Sequence, residues 1–119
     1  MRNPFSSSPV PRFADRDEMV ALARQFSGRL AAARPEIRKI ILFGSFARGD
    51  YGARSDLDLL IVLEHSDKPL GERLHDYLQF VPGYPIDILP LTEAEIDSRL
   101  ADQDLFLQQI FAEGIQLYP

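Results

Sequence analysis

"LFGSFARGDYGARSDLDLLIVLE", residues 42–64, sets two apolar runs either side of a glycine- and arginine-rich turn, and opens the second run with two aspartates one residue apart. The first run, "IRKIILF" (37–43), is short, β-branched and closed by Gly44, which predicts a buried strand. The second, "DLDLLIVLE" (56–64), predicts another. Side chains alternate across a strand, so Asp56 and Asp58 share a face with Leu60 and Val62, while Leu57, Leu59 and Ile61 take the other. The carboxylates therefore stand at the strand's beginning, where solvent or a ligand reaches them. Two carboxylates held this close repel, and either one takes up a proton or a cation lies between them. An all-oxygen donor pair suits Mg²⁺ or Mn²⁺; with no histidine or cysteine alongside, zinc is a poor second choice.

The surroundings extend this reading. A glycine lets backbone approach a ligand closely. Ser45, opening the short helix "SFARG", can cap it and turn its hydroxyl and the nearby N–H groups toward an anion, as in a phosphate cradle. A third acid, Asp87, lies between Ile86 and Ile88 in "YPIDILPL" (84–91), a third strand with prolines at its two ends. A lone buried aspartate is costly unless paired or coordinated. If this strand lies beside the second, Asp87 joins Asp56 and Asp58, and three carboxylates can hold two metals about 3.5–4 Å apart for in-line phosphoryl displacement.

Outward from this centre, residues 1–13, with three prolines and three serines, read as a flexible segment, and residues 14–119 as one domain. Asp15 with Glu18 forms a candidate cap for a helix whose apolar positions are Met19, Leu22, Ala23, Phe26 and Leu30, ending before Pro35. Leu70, Leu74, Tyr77, Leu78 and Val81 mark one face of a second helix, stopped by Pro82 and Gly83. Thr92 and Glu95 form a capping box for a third. Leu105, Phe106, Ile110 and Phe111 suit the core face of a last helix ending near Gly114, and "IQLYP" reads as an edge strand. The order predicts an α/β (α+β) domain with a small mixed sheet flanked by helices.

Composition narrows the classes. The chain of 119 residues has room for one core, and 45% hydrophobic with 26% charged residues is ordinary for a folded domain. Beyond the two arginines of the tail, 11 basic residues face 18 acidic ones, which disfavours a general nucleic-acid surface. The absence of cysteine removes disulfides, thiol nucleophiles and redox roles. The first 13 residues lack the apolar stretch of a signal peptide, and no segment reaches the roughly 18 apolar residues needed to cross a bilayer, so a soluble cytoplasmic protein is expected.

Gly44-Ser45, ten intervening residues, then Asp56-Leu57-Asp58 resemble the signature of the polymerase-beta-like nucleotidyltransferase superfamily. The likeness is closest to its minimal nucleotidyltransferases (MNT), including the antitoxins of HEPN/MNT (type VII) toxin–antitoxin pairs. The resemblance implies transfer of a nucleoside monophosphate from ATP or another NTP to an acceptor hydroxyl. It further implies that Asp56, Asp58 and Asp87 are the catalytic metal ligands for Mg²⁺, with Asp87 helping to deprotonate the acceptor. Gly44 and Ser45 would hold the triphosphate, with Arg48 a further phosphate contact. Larger members carry an acceptor-binding domain; in MNT antitoxins the acceptor is a tyrosine of the partner HEPN toxin. Two other readings stay open: a non-catalytic binding subunit of the same fold, and a nucleotidyltransferase acting on a small molecule or RNA.

Overall fold

The computed structural model describes residues 15–52, 56–80, 83 and 85–119. The N-terminal segment 1–13, and Val81 and Pro82 at the expected end of the second helix, lie outside the described residues. The elements run α1 (Arg16–Ala33), β1 (Ile37–Phe43), α2 (Ser45–Arg48), β2 (Leu57–Leu63), α3 (Leu70–Leu78), β3 (Ile86–Thr92), α4 (Glu93–Ala101), α5 (Leu105–Glu113) and β4 (Ile115–Tyr118). Four strands form one mixed sheet in the order β3-β2-β1-β4, with β1 antiparallel to β2 and β4, and β2 parallel to β3 across the α3 connection. No helix among the described residues is long and apolar enough to cross a membrane.

Each central strand buries both faces, as its near-continuous apolar sequence requires. One face carries Ile40, Leu42, Leu57, Leu59, Ile61 and Leu63, packed under α1, α2 and α3 through Met19, Phe26, Leu30, Phe46 and Tyr77. The other carries Ile41, Leu60, Val62 and Leu91 under α4 and α5 through Ile96, Leu107 and Ile110. A register shift between Ile37 and Lys39 lets Ile37 and Ile40 reach the same core despite their odd spacing, the expected effect of one extra residue in a strand.

Several local expectations change in three dimensions. Asp15 is the N-cap of α1 but makes no side-chain cap bond, so that capping box does not form; its exposed carboxyl is left to water, which can serve the open first-turn amides. On α3 the inward line runs through Arg73 and Tyr77, with Leu78 50% exposed. Pro90 lies inside β3, not at its end, and is tolerated because β3 is an edge strand. On α5 the buried residues are Leu107 and Ile110, while Leu105 (76%), Phe106 (50%) and Phe111 (41%) face outward. Just past this helix the chain comes close to β1: a Cβ on Gly114 would stand 2.5 Å from both the Ile110 carbonyl oxygen and Ile41 Cγ2. Only a glycine lets the backbone lie against β1 at this point.

A buried cation locks the two helical layers together. Arg73 makes a two-pronged bond to Glu95, 2.7 Å on each arm, and also donates to the carbonyls of Pro90 and Lys68. Glu95 meanwhile closes the capping box of α4, accepting from the Thr92 amide while its own amide donates to Thr92 Oγ1. Bonding to Arg73 is the first cause holding the Glu95 carboxyl down, to about 2. An acid whose pKa is depressed by folding adds stability above its unfolded value and loses it as pH falls toward the folded value. Wild-type stability should therefore fall between about pH 4.5 and 2 more steeply than that of Glu95→Gln, and Arg73→Ala should cost roughly 3 kcal/mol at pH 7. That is the low end for a broken buried pair, because Glu95 keeps one side in water. Chemical denaturation across pH measures both.

Candidate active site

The turn after β1 brings backbone and carboxylate into contact. Phe43 pairs with Asp58, so the residue that follows Phe43 is delivered beside the Asp58 side chain. Gly44 has φ +78° and ψ −154°, a conformation reserved for glycine, and a Cβ on it would collide with Asp58 Oδ2. Gly44 is also the N-cap of α2 and no side chain caps this helix: Ser45 stands one position further in. The sequence expectation of a serine cap is thus corrected, because the glycine's conformation already makes the turn. The first amides of a helix have no partner within it, and here that helix start follows directly on the Gly44–Asp58 contact.

The three acids do converge. β2 and β3 run parallel with Asp58 opposite Asp87, and Asp56 lies just before the first residue of β2. Asp56 and Asp87 lie close enough for each carboxyl to feel the other. Burial first, then the charge of Asp87, raises the Asp56 carboxyl above its ordinary range. Asp58 is pushed up to about 6 by burial and then by the charges of Asp87 and Asp56, with Arg48 pulling the other way. One expectation needs correcting: Asp87 is exposed rather than buried, because it sits on the edge strand beyond the cover of α4 and α5.

Among the described residues no group of three acidic, histidine or cysteine side chains is arranged to hold a metal ion as it stands. The donor set nevertheless fits a hard divalent cation. It is all oxygen, burial and then mutual repulsion raise two of its pKa values, and it lies under a glycine cradle that a Cβ would fill. Arg48 lines the same cleft but donates to Asp50 at 3.2 Å, so it reaches a ligand only by giving up that exposed pair.

Arg16 is a residue that the sequence pattern did not single out. Its guanidinium donates to the carbonyls of Phe46 (2.7 Å) and Ala47 (2.9 Å), tying α2 to the start of α1, and Tyr51 stacks on Phe46 at 4.4 Å. No local signal could find it, since a first-turn arginine 30 residues away looks like solvated charge. Its consequence is that the turn bearing Gly44 is held from both sides.

A glycine–serine turn over clustered carboxylates on a mixed sheet is the architecture of a nucleotidyl-transferring domain. Residues 23–115 match the nucleotidyltransferase domain model, and the chain belongs to that family. Among curated relatives, three proteins of Methanocaldococcus jannaschii are each named a "putative protein adenylyltransferase". One is 69% identical over 29 residues (24% of this chain, 29% of the relative), another 35% over 48 (40% and 48%), and a third 32% over 57 (45% and 57%). The chain thus matches between about a quarter and three fifths of these relatives' length. A crystal structure of a "putative nucleotidyltransferase" from Sulfolobus solfataricus superposes with a TM-score of 0.63 at 28% identity, covering 78% of this chain and 84% of that one.

Two outcomes follow from this geometry. Gly44→Ala should destabilise the fold by roughly 1–3 kcal/mol, read by thermal melting, since neither the left-handed φ nor the Asp58 contact admits a methyl group. In metal-free protein with chelator, Asp58→Asn should raise the melting temperature at pH 7.5 and leave it unchanged near pH 4. A carboxyl whose pKa is raised by folding keeps its proton in the folded chain where the unfolded chain has lost it, so the gap opens above about pH 4 and is complete once pH has passed about 6.

Proposed function

We propose that this chain transfers AMP from ATP, with Mg²⁺, to a hydroxyl of a protein acceptor, and that the acceptor is a tyrosine of a partner HEPN toxin neutralised by the modification. The observation that carries the reading is the Asp58 carboxylate seated against Gly44, with Asp56 and Asp87 beside it. A protein acceptor is favoured by the names of the M. jannaschii relatives. The HEPN partner and the antitoxin role come from the resemblance of the 42–64 stretch to minimal nucleotidyltransferases.

In this reading Asp56, Asp58 and Asp87 hold divalent metal, which would supply charge neutralisation on the phosphates and a Lewis acid at the reacting phosphorus. The amides of the Gly44–Ser45 turn receive the triphosphate oxygens, and Arg16 keeps that turn rigid by holding the far end of α2. The acceptor oxygen attacks the α-phosphorus, the bond to the β-phosphate oxygen breaks and pyrophosphate leaves. Asp87, exposed at the edge of the sheet, is placed to take the hydroxyl proton from an acceptor arriving from outside. Most of the rate comes from positioning and charge, as in phosphoryl transfer generally.

The test is incubation with α-labelled ATP, Mg²⁺ and the product of the neighbouring gene. The expected result is label on a tyrosine of that protein, reduced at least about 100-fold by Asp58→Asn. No label, or equal label with wild type and variant, overturns the reading.

A further inference from the structure

The cleft that holds Asp58 and Gly44 has a second wall, which nothing above uses. It encloses about 220 Å³, is floored by Phe43 and is closed on the far side by Phe106, Gln109 and Glu113 of α5. Phe106 stands edge-on to Phe43, with ring centroids 5.6 Å apart at 87°, yet stays half exposed, so one ring face is held in place and open. Gln109 Nε2 donates to Glu113 Oε1 at 3.3 Å, which leaves the Gln109 carbonyl oxygen and the second Glu113 oxygen as acceptors at the same wall.

A rigid aromatic face with hydrogen-bond acceptors at its edge is the chemistry that takes up a base carrying an exocyclic amino group. The volume is below that of a site for a whole drug-sized ligand and suits a base, with the phosphates lying outside it over the Gly44–Ser45 amides. We propose that Phe106, Gln109 and Glu113 form the nucleobase subsite for the donor nucleotide, Phe106 stacking on a purine ring and the two acceptors receiving its amino group. The inference rests on the nucleotidyl-transfer reading. It makes adenine preferred over uracil, which offers one N–H between two carbonyl oxygens and no amino group.

Calorimetric titration of the full chain with Mn²⁺ tests it, using α,β-methylene ATP, α,β-methylene UTP and inorganic tripolyphosphate. Phe106→Ala, at a half-exposed position, should weaken the ATP analogue about 5- to 150-fold and leave tripolyphosphate unchanged, with Phe106→Trp restoring affinity. Gln109→Leu should erase the preference for the ATP over the UTP analogue. Unchanged ATP-analogue affinity in Phe106→Ala, or an equal loss for tripolyphosphate, overturns the subsite while leaving the transfer reading intact. Failure of wild type to bind either triphosphate or tripolyphosphate overturns both.

Discussion

Three carboxylates pressed together beside a glycine backbone are the constraint around which this fold is arranged. Asp58 sits where Gly44 must pass, and Asp87 and Asp56 crowd it from the neighbouring strand and the strand's own beginning. The arrangement costs stability in the metal-free chain, since burial and mutual repulsion both oppose ionisation. Such a cost persists only where the surroundings hold the groups in place, and here the hold is a strand register: Phe43 with Asp58 on one side, Asp58 with Asp87 on the other.

The rest of the molecule maintains that register. Two apolar faces of the sheet are covered by separate helical layers, so a one-residue slip of β2 would turn the aspartates into the α1–α3 core and move Leu57, Leu59 and Ile61 to the α4–α5 side, where they do not fit the existing packing. Arg73 with Glu95 joins α3 to the start of α4 across the end of β3, the strand that carries Asp87. Arg16 ties α2, the helix that follows the Gly44 turn, to the start of α1. Both arginines spend their donors on backbone carbonyls as well as, for Arg73, a carboxylate, which is how a guanidinium orders irregular chain.

Much of this was legible in the sequence. The strands around residues 37–43 and 56–64 come from β-branched runs bounded by glycine, and the third strand and its acid from an alternating run between prolines. The Thr92–Glu95 capping box needs only four consecutive residues, and it formed. What failed to be legible depended on partners far away in the chain. The Asp15 cap gave way to water, the serine cap to the glycine conformation, and Pro90 was absorbed by an edge that only the strand order defines. The apolar residues of α5 looked like core because hydrophobicity alone does not say which side of a helix meets the sheet.

The sequence by itself therefore determined the chemistry: which acids stand in alternation, which glycine precedes a serine, and where each element begins. Side-chain period and backbone propensity are local properties, and local properties are written in order along the chain. Only the tertiary structure decided that Asp87 lies opposite Asp58 and is open to solvent, that Arg16 and Arg73 are fasteners and not surface charge, and that Phe106 faces the cleft. The first depends on which strand is at the edge, the second on carbonyls and a carboxylate delivered from other elements, and the last on which side of α5 meets the sheet, all settled by packing between residues far apart in the chain.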